Sequence, residues 1–187
     1  MNQRQMKYEN PARLQELAPE QTLQRIGLKP GQVCCEIGAG SGIFAVPAAK
    51  LTGSLVLALE ISEEMLEILA EKARLLALPN LKPVLVKGER FSLDDHSVDL
   101  ALMVTVLHEI ANKAALLDEL KRLVKPGGRT AIIEFHKSPT PMGPPVGHRI
   151  GCEEVVSLFT SSGWDLADEF DLGSNFYCLT FRLNTGL

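Results

Sequence analysis

Val33-Cys34-Cys35-Glu36-Ile37-Gly38-Ala39-Gly40-Ser41-Gly42 constrains this chain more than any other stretch. An apolar run carries an acid, Glu36, and three alternating glycines follow at once. A second apolar run, Leu55–Leu59, closes on another acid, Glu60. Short apolar runs bounded by turn residues read as buried strands. Glycine lets backbone turn sharply and approach a ligand closely. Strand, glycine turn and a second strand tipped with a carboxylate make a nucleoside-binding device, because such a carboxylate can hold two ribose hydroxyls.

The same alternation continues along the chain. An amphipathic segment from Asn10-Pro11 carries Leu14, Leu17, Leu23 and Ile26 and stops at Lys29-Pro30-Gly31. Strands are predicted at Val33–Ile37, Ser54–Glu60, Leu81–Val86, Val98–Val104 and Thr130–Phe135, the last entered by a tight Pro126-Gly127-Gly128 turn. Helices are predicted at Ile43–Leu51, from Ser62 to Leu76, at Asn112–Val124 and at Glu153–Gly163. Strand–helix alternation implies a parallel sheet covered on both faces. Trp164–Phe170 and Phe176–Leu183 are joined by so short a turn that they must pair antiparallel. The expected fold is therefore α/β: a Rossmann-like, doubly wound three-layer sandwich of about seven strands, mostly parallel, with an antiparallel C-terminal hairpin. One domain is expected over 1–187, with an N-terminal helical segment (1–30), a cofactor-binding core (31–137) and a loop, helix and hairpin (138–187).

Bulk properties exclude several classes. The net charge of −4 gives no basic field for nucleic acid. No apolar run approaches the roughly 20 residues of a membrane helix. Met1–Glu9 has no apolar core segment and is not a secretory signal. The four cysteines form no C-x-x-C pair and no zinc spacing, so no metal site is expected. Reduced thiols then point to a cytoplasmic protein.

Ligands of open parallel sheets lie beyond the carboxyl ends of the strands. That rule collects Glu36–Gly42, Glu60–Ser62, Gly88–Arg90, Val104–Glu109 and Glu134–Lys137 at one crevice. Two cofactors compete for it. A dinucleotide fingerprint fails when started at Gly38 but passes when started at Gly40. Glu36 weighs against it, because a carboxylate there repels a pyrophosphate and accepts hydrogen bonds from an amine-bearing ligand.

Glu36-Ile37-Gly38-Ala39-Gly40-Ser41-Gly42 resembles motif I of the class I S-adenosylmethionine-dependent methyltransferases, E/D-x-G-x-G-x-G. His96-Ser97-Val98-Asp99-Leu100-Ala101 resembles their D-x-S-F-D-x-V, and Leu120–Arg129 their E-x-x-R-V-L-K-P-G-G-x. The branch it is most similar to is that of the ubiquinone/menaquinone-biosynthesis C-methyltransferases. The resemblance implies a methyltransferase using S-adenosyl-L-methionine, with S-adenosyl-L-homocysteine as product and a small molecule as acceptor. It implies cofactor contacts at Glu36, Gly38, Ala39, Gly40, Gly42, Glu60, Ile61, Gly88, Glu89 and Val104. Asn10 and Arg13 are candidates to close over the cofactor carboxylate.

Methyl transfer from a sulfonium needs positioning and water exclusion more than acid–base groups. Where an acceptor must lose a proton, His108 is the first candidate base and His148 the second, with Glu109 or Glu134 as orienting partner. The Pro/Gly-rich loop Ser138–Gly147 is either rigid or a lid bringing His148 or Arg149 over the acceptor. Two other readings stand beside methyl transfer: an NAD(P)-binding oxidoreductase, and a non-catalytic S-adenosylmethionine-binding module. The acceptor pocket is expected from Met1–Arg13, Val106–Asn112 and Ser138–Arg149. The sequence leaves the acceptor and the oligomeric state open, a homodimer included.

Overall fold

The computed structural model describes residues 9–184. The reading of Met1–Glu9 as free of a signal falls, but for Glu9, outside the described residues, as does the pocket-forming role of residues 1–8. The N-terminal segment is two helices, α1 (Pro11–Leu17) and α2 (Pro19–Arg25). Pro19 divides them, because proline offers no N–H to continue a helix and restricts the residue before it. Ala18, between them, sits in the left-handed region at φ 37° and caps α1, its amide donating to the Leu14 carbonyl.

The chain then runs through β1 (Cys34–Ile37), α3 (Ala45–Thr52), β2 (Val56–Glu60), α4 (Glu63–Leu75) and β3 (Leu81–Leu85). Next come β4 (Val98–Val104), α5 (Lys113–Leu123), β5 (Val124–Phe135), α6 (Cys152–Thr160), β6 (Trp164–Leu172) and β7 (Phe176–Leu183). The strands form one sheet in the order β3-β2-β1-β4-β5-β7-β6. β1 pairs parallel with both β2 and β4, while β7 is antiparallel to β5 and β6. The chain winds outward from β1 to β3, returns, and winds the other way from β4. The reversal opens a crevice between the carboxyl ends of β1 and β4.

The sheet is covered on both faces, so neighbouring strand residues serve different cores. Leu100, Leu102 and Val104 of β4 join Leu23 of α2, Ala48 of α3 and Leu69 of α4. Ala101 and Met103 join Leu120 of α5 and Phe159 of α6. Cys34 and Cys35 divide the same way, both fully buried and free, as small apolar residues.

One expected element differs. The Pro126-Gly127-Gly128 turn lies inside β5, which starts at Val124. The β4–β5 register jumps from Val98↔Val124 to Leu100↔Arg129. The extra residues form a bulge, with Gly127 at φ 78°. Asp99 braces the bulge: its Oδ2 accepts from the Val33 N–H and from Lys125 Nζ, each at 2.8 Å. Two motifs read separately from the sequence, one around Asp99 and one at Lys125–Gly128, thus meet to tie the entry of β1 to β4 and β5.

Candidate functional site

The glycine turn after β1 is built from three different demands. Gly38, Gly40 and Gly42 all have positive φ, at 73°, 52° and 86°. A Cβ on Gly38 would lie 2.4 Å from Val106 Cγ2, and one on Gly42 would lie 2.3 Å from Leu69 Cδ1. A Cβ on Gly40 would meet nothing within 4 Å. Gly38 and Gly42 are therefore glycines because protein packs on them, while Gly40 faces open space. The Gly38 and Ala39 amides donate to the Leu59 carbonyl at 2.8 and 2.9 Å, which ties the turn to β2.

Glu36 is 3% exposed, in register with Ala58 and Leu102. Burial pushes its carboxyl well above the usual carboxylate range; a hydrogen bond from the Ala45 amide opposes the shift and nearby Glu60 adds to it. Its Oε2 is buried with no hydrogen-bond partner among the described residues. An orphaned acceptor is costly. A buried carboxyl with one bare oxygen beside a strand-end crevice fits a ligand that brings a donor or a positive charge.

Glu60 ends β2 with its carboxylate already oriented. Oε1 accepts from the Ile61 and Ser62 amides at 2.8 and 3.0 Å, and Oε2 from the Gly40 amide at 2.8 Å. A carboxylate has about four acceptor positions, so capacity is left for a ligand hydroxyl. Ile61 is 77% exposed, an apolar surface beside that carboxylate. Gly88 has φ 92° and open space around it. Glu89 is drawn away to α5, its Oε1 accepting from Asn112 Nδ2 at 3.0 Å. Val104 closes β4 and is 8% exposed. Two residues without a signal of their own sit over the turn. Lys72 of α4 donates to the Ser41 carbonyl at 2.9 Å and pairs with Glu9, which also accepts from Ser41 Oγ at 2.7 Å. Only their separation in sequence hid them.

Beyond β4, Thr105 takes φ 54°, an outlier for a β-branched residue that costs on the order of 1–3 kcal/mol. Arg13 of α1 holds it, donating from Nη2 to Thr105 Oγ1 at 2.8 Å while its guanidinium lies over Phe135 and Phe176. Asn10 spends its side chain on capping α1.

His108 follows on a single 3-10 turn, Leu107–Glu109. Its Nδ1 lies 3.0 and 2.9 Å from the two oxygens of Glu134, and its amide donates to Glu134 Oε1 at 3.1 Å. Glu134 is fully buried in β5 opposite Tyr177. The Glu134 hydrogen bond, against a smaller loss from burial, holds the His108 imidazole above the ordinary histidine range. Both histidines line one cavity of about 740 Å³, with Lys113, Lys137, Ile150 and Leu158. Arg149 also lines it but is not a mobile arm. Its guanidinium donates to the carbonyls of Pro144, His136, Ser138 and Met142 at 2.8–3.1 Å. Of the two alternatives for the Ser138–Gly147 loop, this clamp favours the rigid one.

The fold and the turn define a Rossmann-like protein with a nucleoside crevice at its switch point. A family model described as a methyltransferase domain matches residues 35–132, and the chain belongs to that family. It is 34% identical over 119 residues to the ubiquinone/menaquinone biosynthesis C-methyltransferase UbiE of Cupriavidus necator, covering 62% of this chain and 48% of that one. The chain spans about half the length of the curated relatives it matches. A SAM dependent methyltransferase from Aquifex aeolicus superposes with a TM-score of 0.89 at 29% identity, covering 94% of each chain. The [4+2]-cyclase SpnF shares the fold at 19% identity, with a TM-score of 0.79 over 91% of this chain and 82% of that one. Among the described residues no helix is long and apolar enough to cross a membrane.

Proposed function

We propose that this chain is an S-adenosyl-L-methionine-dependent methyltransferase acting on a small molecule. The observation that carries the reading is the juxtaposition of Glu36, with its bare buried oxygen, and the oriented Glu60 carboxylate around the open face of Gly40. In this reading Glu60 holds the ribose hydroxyls and Ile61 lies against the adenine. Gly88 and the segment at Glu89 border the adenine edge. The backbone of Gly38, Ala39, Gly40, Gly42 and Val104 runs beside the amino-acid portion, and Glu36 receives its ammonium group. Bound there, the cofactor supplies an electrophilic methyl group on a sulfonium. The chain's own task is to hold donor and acceptor in line and to keep water out.

The acceptor we propose is a small hydroxylated ring, methylated at carbon. The name of the Cupriavidus relative, a C-methyltransferase of ubiquinone/menaquinone biosynthesis, supports transfer to carbon, and the cavity beyond β4 has the volume of a small-molecule site. The oxidoreductase reading is not favoured, because Glu36 stands where a pyrophosphate would have to pass. The non-catalytic reading predicts cofactor binding without turnover, so release of S-adenosylhomocysteine in the presence of an acceptor counts against it.

Thermal shift separates the cofactors. At 100 times its dissociation constant a ligand of the folded state adds about 2.7 kcal/mol, a rise of roughly 5–10 °C for a chain of this size. S-adenosylhomocysteine gives that rise and NAD gives none. The reverse order contradicts the proposal.

A further inference from the structure

We propose that the cavity beyond β4 and β5 is the acceptor site, that His108 Nε2 is the base that takes the acceptor's hydroxyl proton, and that Glu134 is the residue that positions it. The proposal rests on the methyltransferase reading.

Glu134 brings both carboxylate oxygens within 3.0 Å of His108 Nδ1 and also accepts the His108 amide. That triple contact fixes the ring and puts the Nδ1 proton on the Glu134 side. Nε2 is then the basic nitrogen. It points the other way, toward Glu109, which lies 3.7 Å off, is largely exposed and also lines the cavity. A fully buried carboxylate on β5 has no structural need of a histidine partner when an apolar pair would fill the same space at lower cost. The pair is joined to the donor side through Val106, whose side chain packs on Gly38 two residues before His108.

The cavity's chemistry suits a weakly acidic hydroxyl on an apolar frame, a phenol or enol. Ile150 and Leu158 supply apolar wall. The charged groups facing His108 are Glu134 from β5, Glu109 on its own turn and Lys113 from α5. Farther round the cavity are His148, Arg149 and the Lys137–Glu154 pair, the last at 2.8 Å. Arg149 is committed to backbone carbonyls, while Lys113, which donates to the Ile110 carbonyl at 2.7 Å, and Lys137 are the lysines lining the cavity near a developing oxyanion.

The proton balance is as follows. The hydroxyl proton passes to His108 Nε2. The electron pair left behind, delocalised onto the adjacent ring carbon, forms the bond to the methyl group, and the methyl–sulfur pair returns to sulfur. The displaced ring proton goes to solvent, and His108 returns its proton to the oxygen. If oxygen is the nucleophile, His108 instead loses its proton to solvent. Either route releases one proton per methyl group.

The test uses 1-naphthol as the probe and its naphtholate absorbance as the readout, on the full chain. Bound to the wild type, naphthol ionises at a lower pH than free naphthol, giving about tenfold more naphtholate at a given pH. His108→Gln abolishes the gain. Glu134→Gln, which keeps a hydrogen bond to the ring but removes the charge, reduces it and lowers the pH at which the His108 ring-nitrogen NMR signals titrate. Naphthol that fails to bind, that titrates as free naphthol, or that ionises equally with His108→Gln overturns the proposal. An unchanged His108 titration in Glu134→Gln removes the positioning role. The S-adenosylhomocysteine thermal shift is run on the same samples. Its loss in the wild type sinks the methyltransferase reading, whereas its persistence with a negative naphthol result sinks only the base and its pocket.

Discussion

Replacing Glu36 with glutamine should make the ligand-free protein more stable while weakening cofactor binding. The carboxyl is fully buried, accepts one amide hydrogen bond and leaves Oε2 bare. Its pKa is raised in the folded state, mainly by burial. The folded chain therefore prefers the protonated form, and stability is lost as pH rises above the unfolded carboxyl's value, about 4.3. Glutamine is nearly isosteric, keeps an acceptor for the Ala45 amide and carries no charge. Glutamine still leaves one buried polar atom unpaired, so the gain is only the extra cost of leaving that atom charged, taken as about 1–3 kcal/mol. At roughly 2–4 °C per kcal/mol for a chain of this size, Glu36→Gln should raise Tm by roughly 2–12 °C at pH 8. At pH 4 the two proteins should melt together. Differential scanning calorimetry across that pH range reads the gap directly. A Tm below wild type at pH 8, or a gap that does not widen with pH, would refute the argument that Glu36 is held uncompensated for a ligand.

Other expectations follow from the same geometry. Gly40→Ala should fold, with a loss of about 1–2 kcal/mol for its positive φ, but lose S-adenosylhomocysteine binding by calorimetric titration. Gly42→Ala, by contrast, should fail chiefly in stability, because its Cβ would sit 2.3 Å from Leu69 Cδ1. Arg149→Lys cannot fork to four carbonyls; it should cost about 2–4 kcal/mol and expose the 138–148 loop to limited proteolysis. Glu119 is held below the usual carboxylate range, first by the Arg122 hydrogen bond. Its contribution to stability should be present above the unfolded carboxyl value and fade as pH falls below it. Acid titrations of Glu119→Gln should therefore flatten that limb of the stability curve.

The sequence announced its architecture because the elements are locally marked. Ser62 caps α4 as expected, its Oγ accepting from Met65, and the apolar run 98–104 became the buried centre of the sheet. Two boundaries moved for reasons that local pattern carries poorly. Pro19 split a periodic segment, and a bulge absorbed a Pro-Gly-Gly turn because Asp99, far back in sequence, braces it. That Glu36, Gly38–Gly42 and Glu60 come together was legible because β1 and β2 end side by side. The contacts of Lys72 with Ser41 and of Arg13 with Thr105 were not, since each joins helix and loop residues far apart in the chain. Glu134 could be named only as one of two orienting partners. The fold puts Glu134 within 2.9 Å of the His108 ring and leaves Glu109 largely exposed, with its contact at 3.7 Å. The glycines looked alike in sequence, and only the packing of Val106 and Leu69 separates Gly40 from its neighbours.

The most direct test of the account is a crystal structure of the chain with S-adenosylhomocysteine. The account predicts ribose hydroxyls on the Glu60 carboxylate, the adenine against Ile61 and the ligand's amino group on the Glu36 side of Gly40. Ligand density elsewhere, or a saturated crystal in which Glu36 Oε2 and Glu60 make no ligand contact, would contradict it.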